Sequence, residues 1–409
     1  MKIDKFEIWV HDTLLKNEKL RHIAYVMYQK VLRFFSKKIL CEGNISLLVP
    51  NDEYEYLFGY YDKCPWNPSG DSILALRVKN TTKNPDSTDV GTIVICKDGH
   101  IIREISETTT WNVQQGCMLQ WLDDKEIIFN DFRDGRYCSV IINIDTLEER
   151  IIPMPVYSVS SNKQFALSLD FSRLHRLRPG YGYANTPEKY SEVPCPDDFC
   201  IWYIDLVSGD YRGLLRYTDL NHFEHRTEME GAIHKVNHIM INPGCNRFMF
   251  LHRWFKNGKK YSRLVTCDID GKNMYNLSDD DFVSHCCWKN DDYILSYLNK
   301  PSEGKRYYLL KDQSHENHSL WPELSMDGHP TYSYSGNLVV TDTYADRKRL
   351  QSLYVMDGNI VKRIARVYLP FDYNYDSRCD LHPRWSIDDR KICFDSAFNG
   401  IRKIYSVDI

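Results

Sequence analysis

Residues 385–392 read Trp-Ser-Ile-Asp-Asp-Arg-Lys-Ile: an aromatic, a short turn rich in Ser and Asp, then a return into a β-run. Ser, Asp, Asn, Gly and Pro favour tight reversals, whereas aromatic and β-branched residues suit a pleated, half-buried surface. The octet therefore reads as the turn between two strands, and it recurs. Its copies are Trp66-Asn-Pro-Ser-Gly-Asp-Ser-Ile-Leu, Trp121-Leu-Asp-Asp-Lys-Glu-Ile-Ile, Trp288-Lys-Asn-Asp-Asp-Tyr-Ile-Leu and Ser333-Tyr-Ser-Gly-Asn-Leu-Val-Val, with weaker ones starting near Ser161 and Asn242. Most lie 40–55 residues apart, the length of one four-stranded blade. The single long gap, from 161 to 242, contains an irregular stretch at about 172–200.

Seven copies from about residue 45 onward predict an all-β repeat protein, a seven-bladed β-propeller. A solenoid would need a shorter period, and a sandwich would not repeat itself. The runs Tyr203-Ile-Asp-Leu-Val-Ser-Gly, Thr266-Cys-Asp-Ile-Asp-Gly, Tyr354-Val-Met-Asp-Gly and Tyr405-Ser-Val-Asp-Ile read as third strands followed by a hairpin, the last completing a blade at Ile409.

Composition agrees with this. The 409 residues include 28 Tyr and 9 Trp, which favours strands, and 409 is too long for one ordinary compact domain unless the architecture adds units. A net charge of −4 provides no global field for nucleic acid. The 13 cysteines contain no CxxC pair, so neither a zinc site nor a disulfide framework is expected. No apolar core with a small-residue cleavage site follows Met1-Lys-Ile-Asp-Lys-Phe-Glu7, so free thiols and a cytoplasmic setting are expected.

Residues 14–38 differ from the rest. Leu20, Ile23, Ala24, Met27, Val31 and Phe34 recur at helical spacing among Lys16, Lys19, Arg21, Lys30, Arg33, Lys37 and Lys38. They predict an amphipathic α-helix in an N-terminal segment, residues 1–44, ahead of a propeller at 45–409. Such a helix either docks on the propeller's side or makes a peripheral contact with an anionic membrane, possibilities that the pattern alone leaves open.

Just before successive turn copies stand His238, His285, His329 and His382, spaced by 47, 44 and 53 residues. Equivalent positions of successive blades are related by rotation, so the four imidazoles should form an arc around the axis. Such an arc can hold a divalent metal, manganese or calcium, or bind a polyanion; calcium fits less well because it prefers all-oxygen shells. Each histidine could instead cap a strand entry. Asp380 supplies an oxygen donor to the metal set of His285, His329 and His382. Arg253, Arg378 and Arg384 can clamp a carboxylate, and Trp254 and Tyr344 offer faces for a sugar ring. Arg226 adds a further cation, and Gln115, with Gln114, Asn130 and Asp131, extends the polar mouth from the second blade. Each of these could equally serve blade packing.

The runs Phe58-Gly-Tyr-Tyr-Asp-Lys, Gln114-Gln-Gly-Cys-Met-Leu-Gln-Trp, Arg178-Pro-Gly-Tyr-Gly-Tyr, Asn237-His-Ile, Asp327-Gly-His-Pro-Thr-Tyr-Ser and Asp380-Leu-His-Pro-Arg-Trp-Ser resemble the propeller polysaccharide lyases of the oligogalacturonate lyase and ulvan lyase type. The resemblance covers roughly residues 50–409. It implies β-elimination on a uronate-containing oligosaccharide, an acidic substrate, with His238 as the base and His285 and His382 at metal-binding positions. Tyr181 or Tyr183 lies where the ulvan type places a catalytic tyrosine, and Arg226 joins these catalytic candidates. The chain departs from the pattern in having Gln115 and Asn130 where the ulvan type has histidine, and Asp380 where the oligogalacturonate type has a further ligand. The alternative is a non-catalytic glycan-binding or scaffold propeller in cell-surface polysaccharide biosynthesis. A third reading, a peptidase-associated propeller, lacks a Gly-x-Ser-x-Gly elbow.

Overall fold

Short runs of β-branched and aromatic residues, many buried on both faces, with hairpins closed by Asp-Gly, Asn-Gly and Ser-Gly turns, give 29 strands, β1–β29 in chain order, among the described residues 18–35 and 39–409. The structure, a computed structural model, arranges them in seven antiparallel sheets, six of four strands and one of five. Each sheet is a blade. The first strands of the blades are β3 (Glu55–Leu57), β7 (Gln120–Trp121), β11 (Ser158–Val159), β15 (Ile233–Ile241), β19 (Val283–Trp288), β23 (Thr331–Tyr332) and β27 (Arg384–Trp385). From β11 to β27 these strands touch their neighbours in succession, which places them around the axis.

Every turn copy found in the sequence falls between the first and second strand of a blade. In three copies the tryptophan, buried at 121 and 385 and partly buried at 288, ties one blade to the one before. The indole N–H of Trp121 donates to the Pro65 carbonyl at 2.9 Å, that of Trp288 to Met240 at 3.0 Å, and that of Trp385 to Thr331 at 3.2 Å. Each bond contributes roughly 1 kcal/mol net, in addition to burying the ring.

Closure of the ring uses the beginning of the chain. The strand β29 (Lys403–Asp408) is the third strand of the last blade, and its outer neighbour is β2 (Ile45–Leu47), paired Ile45↔Val407 and Leu47↔Tyr405. The C-terminal strand therefore completes its blade only with an N-terminal one. Likewise β1 (Cys41–Glu42) adds a fifth strand to the sixth blade, alongside β26 (Ile360–Tyr368). Both additions cover an edge that would otherwise present unpaired backbone groups.

The N-terminal helix α1 spans Glu18–Phe35, and the remainder of the expected 14–38 stretch lies outside the described residues. It lies between the end of β26 in the sixth blade and the axial mouth. Tyr25, Val26 and Gln29 reach the rim of the axial mouth, and the Arg33 guanidinium lies 3.6 Å over the Tyr368 ring. No helix among the described residues is long and apolar enough to cross a membrane. All thirteen cysteines are unpaired. The irregular stretch after residue 170 carries a short helix, α2 (Phe171–Leu177), N-capped by Asp170, and one 3-10 turn at Pro179–Tyr181.

Candidate active site at the axial mouth

The first strands aim their histidines inward through one device used twice. Between Asn237 and Met240 the pairing of β15 with its neighbour slips by one residue, and between Val283 and Cys286 that of β19 does the same. Such a bulge leaves an extra residue unpaired and redirects its side chain. His238 occupies the first bulge with φ of 56°, and His382, just before β27, has φ of 44°. Non-glycine residues rarely hold this left-handed backbone, and the strain is of order 1–3 kcal/mol each.

The arc forms. Ring centroids are 5.4 Å apart for His238 and His285, 4.1 Å for His285 and His329, and 4.4 Å for His329 and His382. All four are buried. At their centre stands Tyr60, whose ring contacts all four edge-on at 4.9–6.4 Å. Gly59 makes this approach feasible: its φ is 148°, and a Cβ there would come within 2.7 Å of the Gln115 carbonyl. Burial and neighbouring tyrosines push the Tyr60 phenol well above its ordinary range, so it stays protonated, and its hydroxyl shares a hydrogen bond of 2.5 Å with His238 Nε2 whose direction follows the imidazole tautomer. Tyr60 belongs to the Phe58-Gly-Tyr-Tyr-Asp-Lys run, but hydrophobic pattern alone makes it another core aromatic.

Burial, then the cationic surroundings of His285 and Arg253, hold His238 well below the usual imidazole range, so it is neutral. His285 is lowered to about 4, chiefly by burial and then by His329; its Nδ1 meets the Asp327 carboxylate at 3.1 Å. Burial disfavours charge on His329, but the Asp342 carboxylate at 2.9 Å from Nδ1 outweighs it and raises this imidazole.

A cavity of about 490 Å³ opens above His238 and His285, walled by Arg178, Arg253, Lys260, Tyr344 and Arg378. Arg253 is 4% exposed, yet its guanidinium donates only to Ser262 Oγ at 3.2 Å and the Val283 carbonyl at 3.3 Å. Among the described residues no carboxylate pairs with Arg253, Lys235 or Lys260. Lys235 is 3% exposed and pushed well below the usual lysine range by burial and then by Arg253 and Arg178. Lys260, on the open rim, is lowered to about 8 by partial burial of its ammonium and by the same two arginines. Asp327 lines the same cavity, but it pairs with His285 and not with Arg253; an isolated buried charge is costly in water's absence, so a buried arginine without a carboxylate suits an anion.

The donor set for a divalent metal is present. One nitrogen of His329, one of His382 and a carboxylate oxygen of Asp380 lie within 4.8 Å of one another. His329 Nε2 and both His382 ring nitrogens are buried without a partner, and Asp342 orients His329 as an outer carboxylate orients a metal-ligating imidazole. Asp380 also accepts from Arg378 Nε at 2.9 Å. Mixed N and O donors suit manganese better than calcium.

Other expected site residues serve the scaffold instead. Arg226 is held by Asp279 at 2.6 Å, Asp281 at 2.7 Å and Glu228 at 3.2 Å, away from the cavity. Trp254 is fully buried against Tyr261. Arg384 is locked to Asp395, and Gln115 donates to Tyr157 Oη at 2.9 Å. Tyr183 stacks on Phe171 at 4.3 Å and accepts from Asn130 at 3.0 Å. Asn130 and Asp131 likewise brace blade contacts rather than widening the mouth. Tyr181 lies closer, packing edge-on to Tyr60 at 6.2 Å, with its hydroxyl accepting from Arg178. Residues given no site role from the pattern are Tyr60, Lys235, Lys260 and Asp327.

No family model and no curated protein matches the sequence. Solved structures do match. An oligogalacturonate lyase in complex with manganese is 17% identical, with 91% of this chain and 97% of that chain covered at a TM-score of 0.63. An oligogalacturonate lyase from Vibrio parahaemolyticus is 14% identical, covering 91% and 99% at 0.60. A prolyl endopeptidase is 9% identical, covering 98% of this chain and 51% of that one at 0.50. The chain is thus similar along nearly its whole length to oligogalacturonate lyase propellers, a similarity of fold.

Proposed function

We propose that the axial mouth binds an acidic oligosaccharide and cleaves it by β-elimination at a uronate unit. The observation that carries this is the unpaired, buried Arg253, reinforced by Lys235, Lys260 and Arg178, beside a neutral imidazole. The C5 hydrogen of a uronate is too weakly acidic to remove until negative charge developing on the carboxylate is stabilised. Arg253 and its cationic neighbours supply that charge from preorganised positions. His238 takes the C5 proton, a C4=C5 double bond forms, and the C4–oxygen bond breaks, the leaving oxygen taking a proton from water in the open cavity.

His329, His382 and Asp380 are the residues that would hold a divalent ion, and His285 stands against His329 at their edge. When bound, the ion supplies Lewis-acid charge next to the substrate carboxylate. Tyr344 and Arg378 border the same cavity and offer a ring face and a second cation to the neighbouring sugar.

One observation favours binding without cleavage: Nε2 of His238 is already engaged by the Tyr60 hydroxyl, while its Nδ1 has no partner. The test separates the two readings. Uronate oligomers incubated with the protein should yield the ultraviolet absorbance of the unsaturated product, and His238→Ala should lower turnover by about 10²–10⁴-fold while leaving oligomer binding in place. Binding without any new absorbance selects the glycan-binding propeller. Unchanged turnover in His238→Ala removes His238 as the base.

A further inference from the structure

Helix α1 (Glu18–Phe35) is docked the wrong way round for a globular protein. Its outward face carries Ile23, Met27, Val31 and Phe34, at spacings of four, four and three residues that align them along one side. They are exposed by 53, 63, 54 and 75%, and Phe35 beside them by 81%. The face against the propeller holds instead the buried Gln29, and Arg33, which stacks on Tyr368 and donates to the Ile39 carbonyl at 3.1 Å. A surface helix ordinarily buries its apolar stripe. Here the stripe is turned to the outside, contiguous and aromatic at one end, which marks an interaction surface.

We infer that α1 holds the protein on an anionic membrane surface through this stripe. Charge argues for the occupant. Residues 14–38 contain seven Lys and Arg and a single acidic residue, Glu18, in a chain whose net charge is −4. An interfacial helix binds by inserting apolar side chains between headgroups while its basic residues meet anionic lipid. A second copy fits less well: a two-fold contact would set a segment with seven basic residues and one acidic one against its own equal. The docking does not depend on the chemistry proposed above, but it sets the mouth's orientation. Tyr25, Val26 and Gln29 of the same helix form part of the cavity wall, so a helix lying on lipid keeps the cationic mouth beside the bilayer. The acidic glycan best placed to enter is one presented at that membrane.

The experiment uses the full chain with sedimented vesicles of phosphatidylcholine alone and of phosphatidylcholine mixed with phosphatidylglycerol. Partitioning onto the anionic vesicles should exceed that onto neutral ones by at least about tenfold and fall as salt is added. The double variant Met27→Glu/Val31→Glu should lose this excess while keeping its melting temperature and circular dichroism, because both side chains are exposed. Equal partitioning on the two vesicle types, or an unaffected double variant, overturns the proposal. So does a concentration-dependent dimer in sedimentation velocity that the double variant abolishes, which would assign the stripe to a second copy.

Discussion

Two clusters of buried arginine sit a few residues from the propeller axis and obey opposite rules. In the last blade Asp395, fully buried, accepts from Arg402 Nε at 3.0 Å and Nη2 at 2.6 Å and from Arg384 as well; Nη1 of Arg384 reaches the Gly59 carbonyl and Nη1 of Arg402 the Val113 carbonyl. At the mouth Arg253 is as deeply placed and has a hydroxyl and a carbonyl for company, with Lys235, Lys260 and Arg178 adding like charge. The first cluster has its carboxylate within the fold and stitches blade 7 to blade 1. The second is complete only with an anion in the cavity. Burial of charge therefore discriminates scaffold from site only when the partners are counted.

The largest expected effect lies in the closed cluster. Asp395→Ala leaves two buried guanidinium groups without their carboxylate, and unfolding in denaturant should show a loss of about 3–5 kcal/mol. A variant with wild-type stability would mean that water or a rearranged neighbour already shares that charge, and the contrast between the clusters would fail.

The open cluster should respond in the opposite sense. Arg253→Met removes a buried cation that has no acid, so stability should stay level or rise, whereas affinity for a uronate oligomer should fall by about tenfold to a hundredfold, the worth of a charge-assisted hydrogen bond. Calorimetric titration and a thermal melt of the same protein measure both. A loss of stability with affinity intact would place Arg253 in the scaffold with Arg384.

The same contrast explains what could be read from the sequence. The blades were legible because the turn copies do local work: Trp121, Trp288 and Trp385 sit at fixed offsets from turns and each bonds the preceding blade, so the pattern and the packing coincide. The histidine arc was legible for the same reason, one residue per repeat. Ring closure was not, because β2 pairs across the whole length of the chain with β29 and three residues carry no repeat of their own. Nor could spacing tell Arg253 from Arg384, Arg226 or Trp254, since their separation is decided by which partners the fold brings up: Asp395 from the neighbouring strand of the same blade, Asp279 and Asp281 from 53 and 55 residues away. The bulges at His238 and His285, which aim both rings into the mouth, are register shifts without a compositional signature. Tyr60 was hidden because a buried tyrosine between a glycine and another tyrosine looks like core until its hydroxyl is seen against His238.

The smallest expected effect is a pH dependence set by Lys260. Its ammonium faces Arg253, Arg178 and Lys305, with Asp327 as the opposing acid, and its pKa falls from the ordinary 10.5 to about 8. The folded protein therefore binds fewer protons than the unfolded chain between about 8 and 10.5. Stability should rise with pH across that window, the cost of holding the cation being fully present below 8 and gone once the unfolded lysine has also lost its proton. Anion binding should run the other way, because raising the pH through 8 removes one positive charge from the rim, and a bound carboxylate should lift the lysine's pKa back towards its usual value. Because Lys260 stands on the open rim, solvent screens it and the change in affinity should be only about threefold to tenfold, the scale of an exposed ion pair. Of the arc's histidines, His238 and His285 are held below this range, whereas Asp342 raises His329. Lys235 is also depressed, and Lys260→Gln separates the two. Titrating a uronate oligomer at pH 7 and pH 9 should give a falling affinity in the wild type and a flat one in Lys260→Gln. An unchanged slope in the variant would transfer the titration to Lys235, one step deeper in the unpaired cluster.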